Sequence, residues 1–327
     1  MEDRIPSGTR DVLPDEMREL RALSARMRGV FDGAGYGELY TPALEYERTF
    51  TRNGARTGTA YRLFDEHGDV LVLRSDMTVP IARVVGNRYA HAEPPLRFCY
   101  FAHAYRSVRP QRGQTREFLQ AGTELIGVPG PAGTAEVLSV LCDALQAAGL
   151  KRFRVGLGDQ TLYPRMLERV GVGVQARTLI LASLSRGDFV GAQRVLCGLE
   201  LSDADRRLLL EVPRMRGGAE LLEGLSGPLR EVGEDMRAIL GRLRPPVAQR
   251  MIFDLGLVRD LGYYSGSIFQ VYDPAHGVPL GSGGRYDELL AEFGRPLPAV
   301  GFALDLERVH VALTAEERET AEERDDG

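Results

Sequence analysis

Polar side chains interrupt otherwise apolar stretches of this chain in four places. They are Arg74-Ser75-Asp76-Met77-Thr78, the span 106–124, Arg259-Asp260-Leu261-Gly262-Tyr263-Tyr264, and Gly283-Gly284-Arg285-Tyr286 with Glu307-Arg308 behind it. Together they supply carboxylates (Asp76, Glu124), a neutral amide (Gln120), guanidinium groups (Arg106, Arg109, Arg116, Arg259, Arg308) and two phenols (Tyr263, Tyr264). A free amino acid needs this assortment: an acid for its ammonium group, an arginine fork for its carboxylate, and a carboxylate with a phenol for the edge of an imidazole. Taken alone, Arg106 and Glu124 read more simply as a cross-strand ion pair, and Tyr263-Tyr264 as core packing with satisfied hydroxyls. Gln120 on the same strand face, together with the other clusters, turns the reading toward a binding pocket.

The elements that must position these groups follow from periodicity. Residues 15–31 place Met17, Leu20, Leu23, Met27, Val30 and Phe31 at helical spacing, and Gly33 and Gly35 close the helix. The extended GELYTPALEY carries Pro42, which suits an edge or terminal position. Residues 61–73 alternate about His67-Gly68 as a hairpin and deliver the chain to the first polar cluster. Two strands follow, at 96–108 and 116–127. Phe98, Tyr100, Ala102, Ala104 and Arg106 share one face, as do Arg116, Phe118, Gln120, Gly122 and Glu124, so this long-looped antiparallel pair reads as the floor of a cleft. A helix over 134–148 has Val137, Leu138, Leu141 and Leu145 as its buried stripe and stops at Gly149.

From about 159 to 246 short helical patterns form an inserted subdomain closed by Pro245-Pro246. Strands resume as MIFDLGL and SIFQVYD; the Gly-rich GSGGRYDELL reads as a turn opening a helix, and AVGFALDLERVHVAL is apolar on one helical face. The reading divides the chain into a first core part (1–158), a helical insertion (159–246), a second core part (247–313) and a disordered acidic tail (314–327). The fold class is α+β, a mostly antiparallel sheet flanked by helices.

Composition narrows the function. The net charge is −5, and the tail from Thr314 holds seven carboxylates against two arginines, so the remaining body is neutral. A neutral body lacks the basic footprint of a dedicated nucleic-acid binder. No apolar run approaches a membrane span and the first residues have no apolar signal core, so a cytoplasmic protein is expected. Cys99, Cys142 and Cys197 are odd in number and far apart, and the five histidines form no ligand-spaced pair, so neither a disulfide framework nor a metal site is expected. P-loop, GxGxxG, HExxH and GxSxG motifs are missing.

Five segments, PSGTRDVLP, RPQRGQTREFLQAGTELIG, LVRDLGYYSGSIF, GSGGRYDEL and AVGFALDLER, resemble in order and spacing the catalytic core of histidyl-tRNA synthetase, a class II aminoacyl-tRNA synthetase, over roughly residues 4–313. The resemblance implies that fold, with a homodimer formed near Pro42. It departs from the synthetase where ATP is handled. The family's motif 2 looks like Phe-Arg-x-Glu, and here Val108 replaces the Glu, losing a charge-assisted hydrogen bond of about 1.5–3 kcal/mol. Gln114 stands where the loop usually has an Arg, Asp76 replaces a Glu, Gly262 an Asp, and Asp305 a motif 3 Gly. Nor is an anticodon-binding domain expected after the core.

Loss of the ATP and tRNA features with retention of the amino-acid pocket resembles the synthetase paralogues that serve as regulatory subunits of short-form ATP phosphoribosyltransferase. That resemblance implies a non-catalytic protein without cofactor, partnered with the short catalytic subunit in a hetero-octamer and conferring feedback inhibition by histidine, with no tRNA and no membrane. It also implies roles. Asp76 and Thr78 hold the ammonium group with Gln120 alongside, Arg106 and Arg259 face the carboxylate, Glu124, Tyr263 and Tyr264 read the imidazole, and Arg109 and Arg308 line a vestigial ATP site. Two other functions fit: a truncated ligase that still forms histidyl-adenylate for an acceptor other than tRNA, and a pure assembly subunit with a vestigial pocket.

Overall fold

The computed structural model describes residues 5–51, 60–107, 115–259 and 262–325. Its strands are β1 (Gly37–Glu38), β2 (Leu44–Tyr46), β3 (Arg62–Phe64), β4 (Val70–Leu73), β5 (Leu96–Tyr105), β6 (Glu117–Ile126), β7 (Arg154–Asp159), β8 (Arg216–Gly217), β9 (Met251–Asp254), β10 (Ser267–Asp273), β11 (His276–Arg285) and β12 (Ala299–Asp305). The helices of the first core part are α1 (Pro14–Gly33), α2 (Glu47–Thr51), α3 (Thr78–Arg88) and α4 (Gly130–Ala148). Those of the insertion are α5 (Leu162–Arg169), α6 (Val174–Ser185), α7 (Phe189–Cys197), α8 (Asp203–Glu211), α9 (Ala219–Glu223), α10 (Arg230–Leu240) and α11 (Pro245–Ala248), and α12 (Leu306–Asp325) ends the chain.

Nine strands form the main sheet in the order β1-β5-β6-β12-β11-β10-β7-β9-β8. Among the described residues only β1 with β5 and β7 with β9 run parallel, so the sheet is mostly antiparallel. A second small sheet, β2-β4-β3, stands apart from it. The main sheet separates two apolar layers. On one side α1 (Leu20, Leu23, Met27, Phe31) and α4 (Val137, Leu138, Leu141, Leu145) pack on Cys99, Leu125 and Phe302. The insertion joins that same core through Leu162, Ile180, Leu196, Leu209 and Met236. On the other side Met77, just ahead of α3, and Ile81 and Val85 of α3 pack against Phe98, Tyr100 and Ile126, with Tyr263 and Tyr264 at the margin.

Local sequence accounts for most of these boundaries. α1 opens at Pro14, whose missing N–H costs nothing in a first turn, and Asp15 and Glu16 sit favourably at its positive end. α4 ends at Gly149, whose φ of 112° is left-handed and tolerated without a side chain. It begins at Gly130, four residues ahead of the expected 134.

Four expectations are corrected. The glycines at 281, 283 and 284 are strand residues of β11 with no positive φ. They are small for another reason: a Cβ on Gly283 would lie 2.2 Å from the Gly301 carbonyl oxygen, and one on Gly281 would lie 2.4 Å from that of Ala303. AVGFALDLERVHVAL splits into β12 and the first turns of α12, because residues 299–305 alternate across the sheet. The insertion also contributes β8 to the main sheet, paired with β9. Finally, the acidic tail from Thr314, expected to be disordered, continues α12 as helix to Asp325. Glu316 anchors it by accepting the backbone N–H groups of Lys151 and Arg152, each at 2.9 Å. Arg152 also pairs with Glu319.

Candidate functional site

The site lies on the α3 face of the main sheet. Antiparallel register sets Phe98, Glu124 and Gly301 side by side, and in the next pleats Ala102, Gln120 and Asp305. Ser282 and Gly284 of β11 continue the same face opposite Ala303 and Gly301. Strand alternation therefore carries Arg106, Gln120 and Glu124 to one surface, as their spacing predicted.

The turn between β4 and α3 brings the acidic groups over that surface. Arg74 is 3% exposed and holds the turn in place by donating to the carbonyls of Thr41 (2.5 Å), Pro42 (3.2 Å) and His103 (2.8 Å). Its role is therefore structural. Asp76 accepts the Val79 N–H at 3.1 Å and the Ser75 hydroxyl at 3.3 Å, which tethers the start of α3. Burial pushes its carboxyl up from the usual range, and the facing Arg106 partly offsets that rise.

Glu124 is 1% exposed. Its Oε1 accepts the Thr78 hydroxyl at 2.8 Å and its Oε2 accepts the Tyr286 hydroxyl in a short contact. Burial pushes the carboxyl up to about 8, with the two hydroxyls opposing the rise and Asp76 adding to it. Gly301 makes room for this arrangement, since a Cβ there would lie 1.7 Å from Oε2. Arg106 does not pair with Glu124. It stacks 4.8 Å over the Phe118 ring and faces Asp76, so the simple cross-strand ion pair is not formed. Burial lowers the Arg106 pKa, and the neighbouring Arg259 and Arg308 lower it further.

Arg259, Tyr263 and Tyr264 arrive from the loop between β9 and β10. Arg259 Nη2 donates to Ser282 Oγ at 3.3 Å, while its buried Nε has no partner among the described residues. The Tyr263 and Tyr264 rings meet edge to face with centroids 5.0 Å apart, and Tyr263 meets Tyr286 at 6.0 Å. Both loop phenols are pushed above their usual pKa, chiefly by burial. Gln120 is 6% exposed and, among the described residues, its Oε1 has no donor. The site thus holds an acidic end (Asp76, Glu124), an arginine end, and two buried polar atoms without a mate, one donor and one acceptor.

All eight residues assigned to the pocket by sequence, Asp76, Thr78, Arg106, Gln120, Glu124, Arg259, Tyr263 and Tyr264, come to this face. Arg109 lies outside the described residues. Arg308 is engaged within the chain: Nε meets Asp305 Oδ2 at 3.0 Å and Nη1 donates to the Pro279 carbonyl at 2.9 Å. Asp305 is 9% exposed and its carboxyl is pushed up by burial against the pull of Arg308. Sequence reasoning set Tyr286 in a polar cluster without giving it a place in the pocket, and it missed Ser282. Reading the Gly-rich stretch as a turn hid the alternation that aims both at the site. Arg285 of the same cluster points away, donating to the Val128 and Gly130 carbonyls and to Asp287. Among the described residues no group of three or more His, Cys, Asp or Glu is placed to hold a metal ion, and no helix is long and apolar enough to cross a membrane.

Comparison with known proteins agrees with the fold. The family described as Histidyl-tRNA synthetase matches residues 8–309. A curated ATP phosphoribosyltransferase regulatory subunit from Symbiobacterium thermophilum is 40% identical over 326 residues, covering 97% of this chain and 81% of its own. Among solved structures, an ATP phosphoribosyltransferase regulatory subunit/histidyl-tRNA synthetase from Bacillus halodurans superposes with a TM-score of 0.87 at 32% identity, covering 95% of this chain and 84% of that one. A histidine tRNA ligase subunit from Alicyclobacillus acidocaldarius gives 0.80 at 31%, covering 97% and 98%. The chain belongs to the histidyl-tRNA synthetase family, within the group of ATP phosphoribosyltransferase regulatory subunits.

Proposed function

We propose that this chain is the non-catalytic regulatory subunit of short-form ATP phosphoribosyltransferase, needed for the activity of the catalytic subunit and conferring feedback inhibition by histidine in the first step of histidine biosynthesis. The observation that carries the reading is the unmatched pair in the pocket. Among the described residues the Arg259 Nε–H lacks an acceptor and Gln120 Oε1 lacks a donor, both buried. Leaving such groups unpaired costs about 1–3 kcal/mol each, which a fitting ligand returns. An α-amino acid supplies both complements: its carboxylate takes Arg259 and Arg106, and its ammonium group takes Gln120, Asp76 and Thr78. Glu124 then offers an acceptor to an imidazole N–H, with Tyr263 and Tyr264 walling the ring.

The nucleotide side of the site supports a regulatory rather than a ligase role. The Arg308 guanidinium is already neutralised by Asp305, and Val108 cannot accept a hydrogen bond as a Glu does. A phosphate approaching there meets a fixed carboxylate at short range.

Assembly fits the same reading. The small sheet exposes Leu44, Tyr46, Leu63 and Phe64, with Tyr40 beside it, so a homodimer would cover this apolar surface. Two chains joined in this way form the core of a hetero-octamer with the catalytic subunit, without tRNA and in the cytoplasm. For histidine to regulate the complex it must bind one state better than the other, and a tenfold preference is about 1.4 kcal/mol.

The test is calorimetric titration of histidine into the complex, run beside histidine-dependent ATP–pyrophosphate exchange. Binding without exchange is expected. Robust exchange would overturn the regulatory reading in favour of the ligase, and absence of binding would favour a pure assembly subunit.

A further inference from the structure

One residue outside the loop between β9 and β10 grips it at two points. Gln160 stands directly after β7, where the chain leaves the sheet for the helical insertion. Its side-chain amide makes both hydrogen bonds of a backbone bridge with Arg259. The Arg259 N–H donates to Oε1 at 2.9 Å, and Nε2 donates to the Arg259 carbonyl at 2.8 Å. The Gln160 backbone N–H then donates to the carbonyl of Gly266, at the far end of the loop, at 2.9 Å. The neighbours of Gln160 are fixed in turn. Asp159 Oδ1 accepts the Thr161 N–H at 2.8 Å and the Thr161 hydroxyl at 2.5 Å, closing the turn that opens α5.

We propose that Gln160 is a positioning residue for the amino-acid pocket, holding Arg259 in register with Tyr263 and Tyr264 and joining their loop to the helical insertion. The inference rests on the reading of this pocket as a histidine site. It gives the insertion a part in that site: α5 begins two residues after Gln160, so a displacement of the insertion acts on the backbone that aims the Arg259 guanidinium. An amide is suited to this place because it presents a donor and an acceptor side by side. A carboxylate of equal length presents acceptors only, unless protonated.

The test combines two measurements on the full chain: calorimetric titration with histidine, and hydrogen exchange at the Arg259 amide. Gln160→Ala is expected to weaken histidine binding about tenfold or more, for two neutral hydrogen bonds lost, and to speed exchange of the Arg259 amide. Gln160→Glu is expected to bind weakly at pH 7.5 and to approach the wild type, compared at the same pH, as pH falls toward the ordinary glutamate range near ~4.3. A protonated carboxyl restores both halves of the bridge, whereas a purely structural role would give no such profile. Wild-type affinity in Gln160→Ala, within twofold, overturns the proposal. If the alanine variant does not fold, the pH profile of Gln160→Glu decides, and a flat profile overturns it. If the wild type itself binds no histidine, the pocket reading fails separately. Exchange at Arg259 then decides the positioning role, which faster exchange in the variant sustains and unchanged exchange refutes.

Discussion

Replacing Glu124 with Gln should make the protein more stable at high pH and leave it little changed in acid. The side chain is 1% exposed and burial moves its carboxyl from 4.5 to about 8. A folded-state pKa above the unfolded one means that the native chain keeps a proton the unfolded chain has released. Stability therefore falls as pH rises from about 4.5 to about 8, and the penalty is complete above that window. At roughly 1.36 kcal/mol per pH unit the full effect is on the order of 5 kcal/mol. Gln keeps the shape and can still bond the Thr78 and Tyr286 hydroxyls, but it carries no charge. Urea unfolding of both proteins at pH 5, 7 and 9 should show free energies close together at pH 5 and diverging by several kcal/mol at pH 9, with the variant more stable. The same carboxyl should release a proton when an imidazole N–H binds it near neutrality. Titration heats of histidine would then vary with the ionisation enthalpy of the buffer in the wild type and much less in Glu124→Gln. A stability difference that is constant from pH 5 to pH 9 would refute the reasoning, because it would mean that Glu124 titrates alike in the folded and unfolded chains.

Three further perturbations probe other parts of the account. Gly301→Ala would bring a Cβ within 1.7 Å of Glu124 Oε2 and 2.5 Å of the Thr123 carbonyl oxygen, so a loss of about 1–3 kcal/mol and a tenfold or greater loss of histidine affinity are expected; unchanged melting and titration would show that the sheet yields there. Asp273 is 4% exposed, its Oδ2 has no donor, and burial followed by the adjacent Glu316 pushes its carboxyl up. Its cost is present above the raised value and is lost as pH falls below the ordinary carboxylate range, so Asp273→Asn should raise the melting temperature more at pH 8 than at pH 4, and an equal shift at both would contradict this. Phe64→Asp places a charge on the exposed face of the small sheet, where Phe64 is 74% exposed. Sedimentation should show a monomer at micromolar concentration, and a persistent dimer would put the interface elsewhere.

Much of the pocket could be read from the sequence because it is built on strands, where alternation decides which side chains share a face. Arg106, Gln120 and Glu124 were legible in this way, and so was α4, whose apolar stripe and terminal Gly149 are local signals. Beyond the antiparallel β5–β6 pair, pairing across the sheet was not legible. Nothing near β12 says that Gly301 will lie opposite Glu124, or that the glycines of β11 exist to let backbones and aromatic rings approach. Tyr286 was left without a role because the Gly-rich stretch before it was read as a turn rather than as β11. The helical state of the acidic tail escaped too, because its anchor is a long-range one: Glu316 satisfies two backbone N–H groups from the connection between α4 and β7. Charge density alone suggested a solvated end, and a tertiary contact overrode it.

The central claim is tested most directly by reconstitution. Turnover of a short catalytic phosphoribosyltransferase subunit would be measured alone, with this chain, and with this chain plus histidine. The account predicts little turnover alone, strong turnover with the chain, and inhibition by histidine that is relieved when the chain carries Arg259→Ala. Turnover indifferent to the chain, or histidine inhibition undiminished by that substitution, would contradict it.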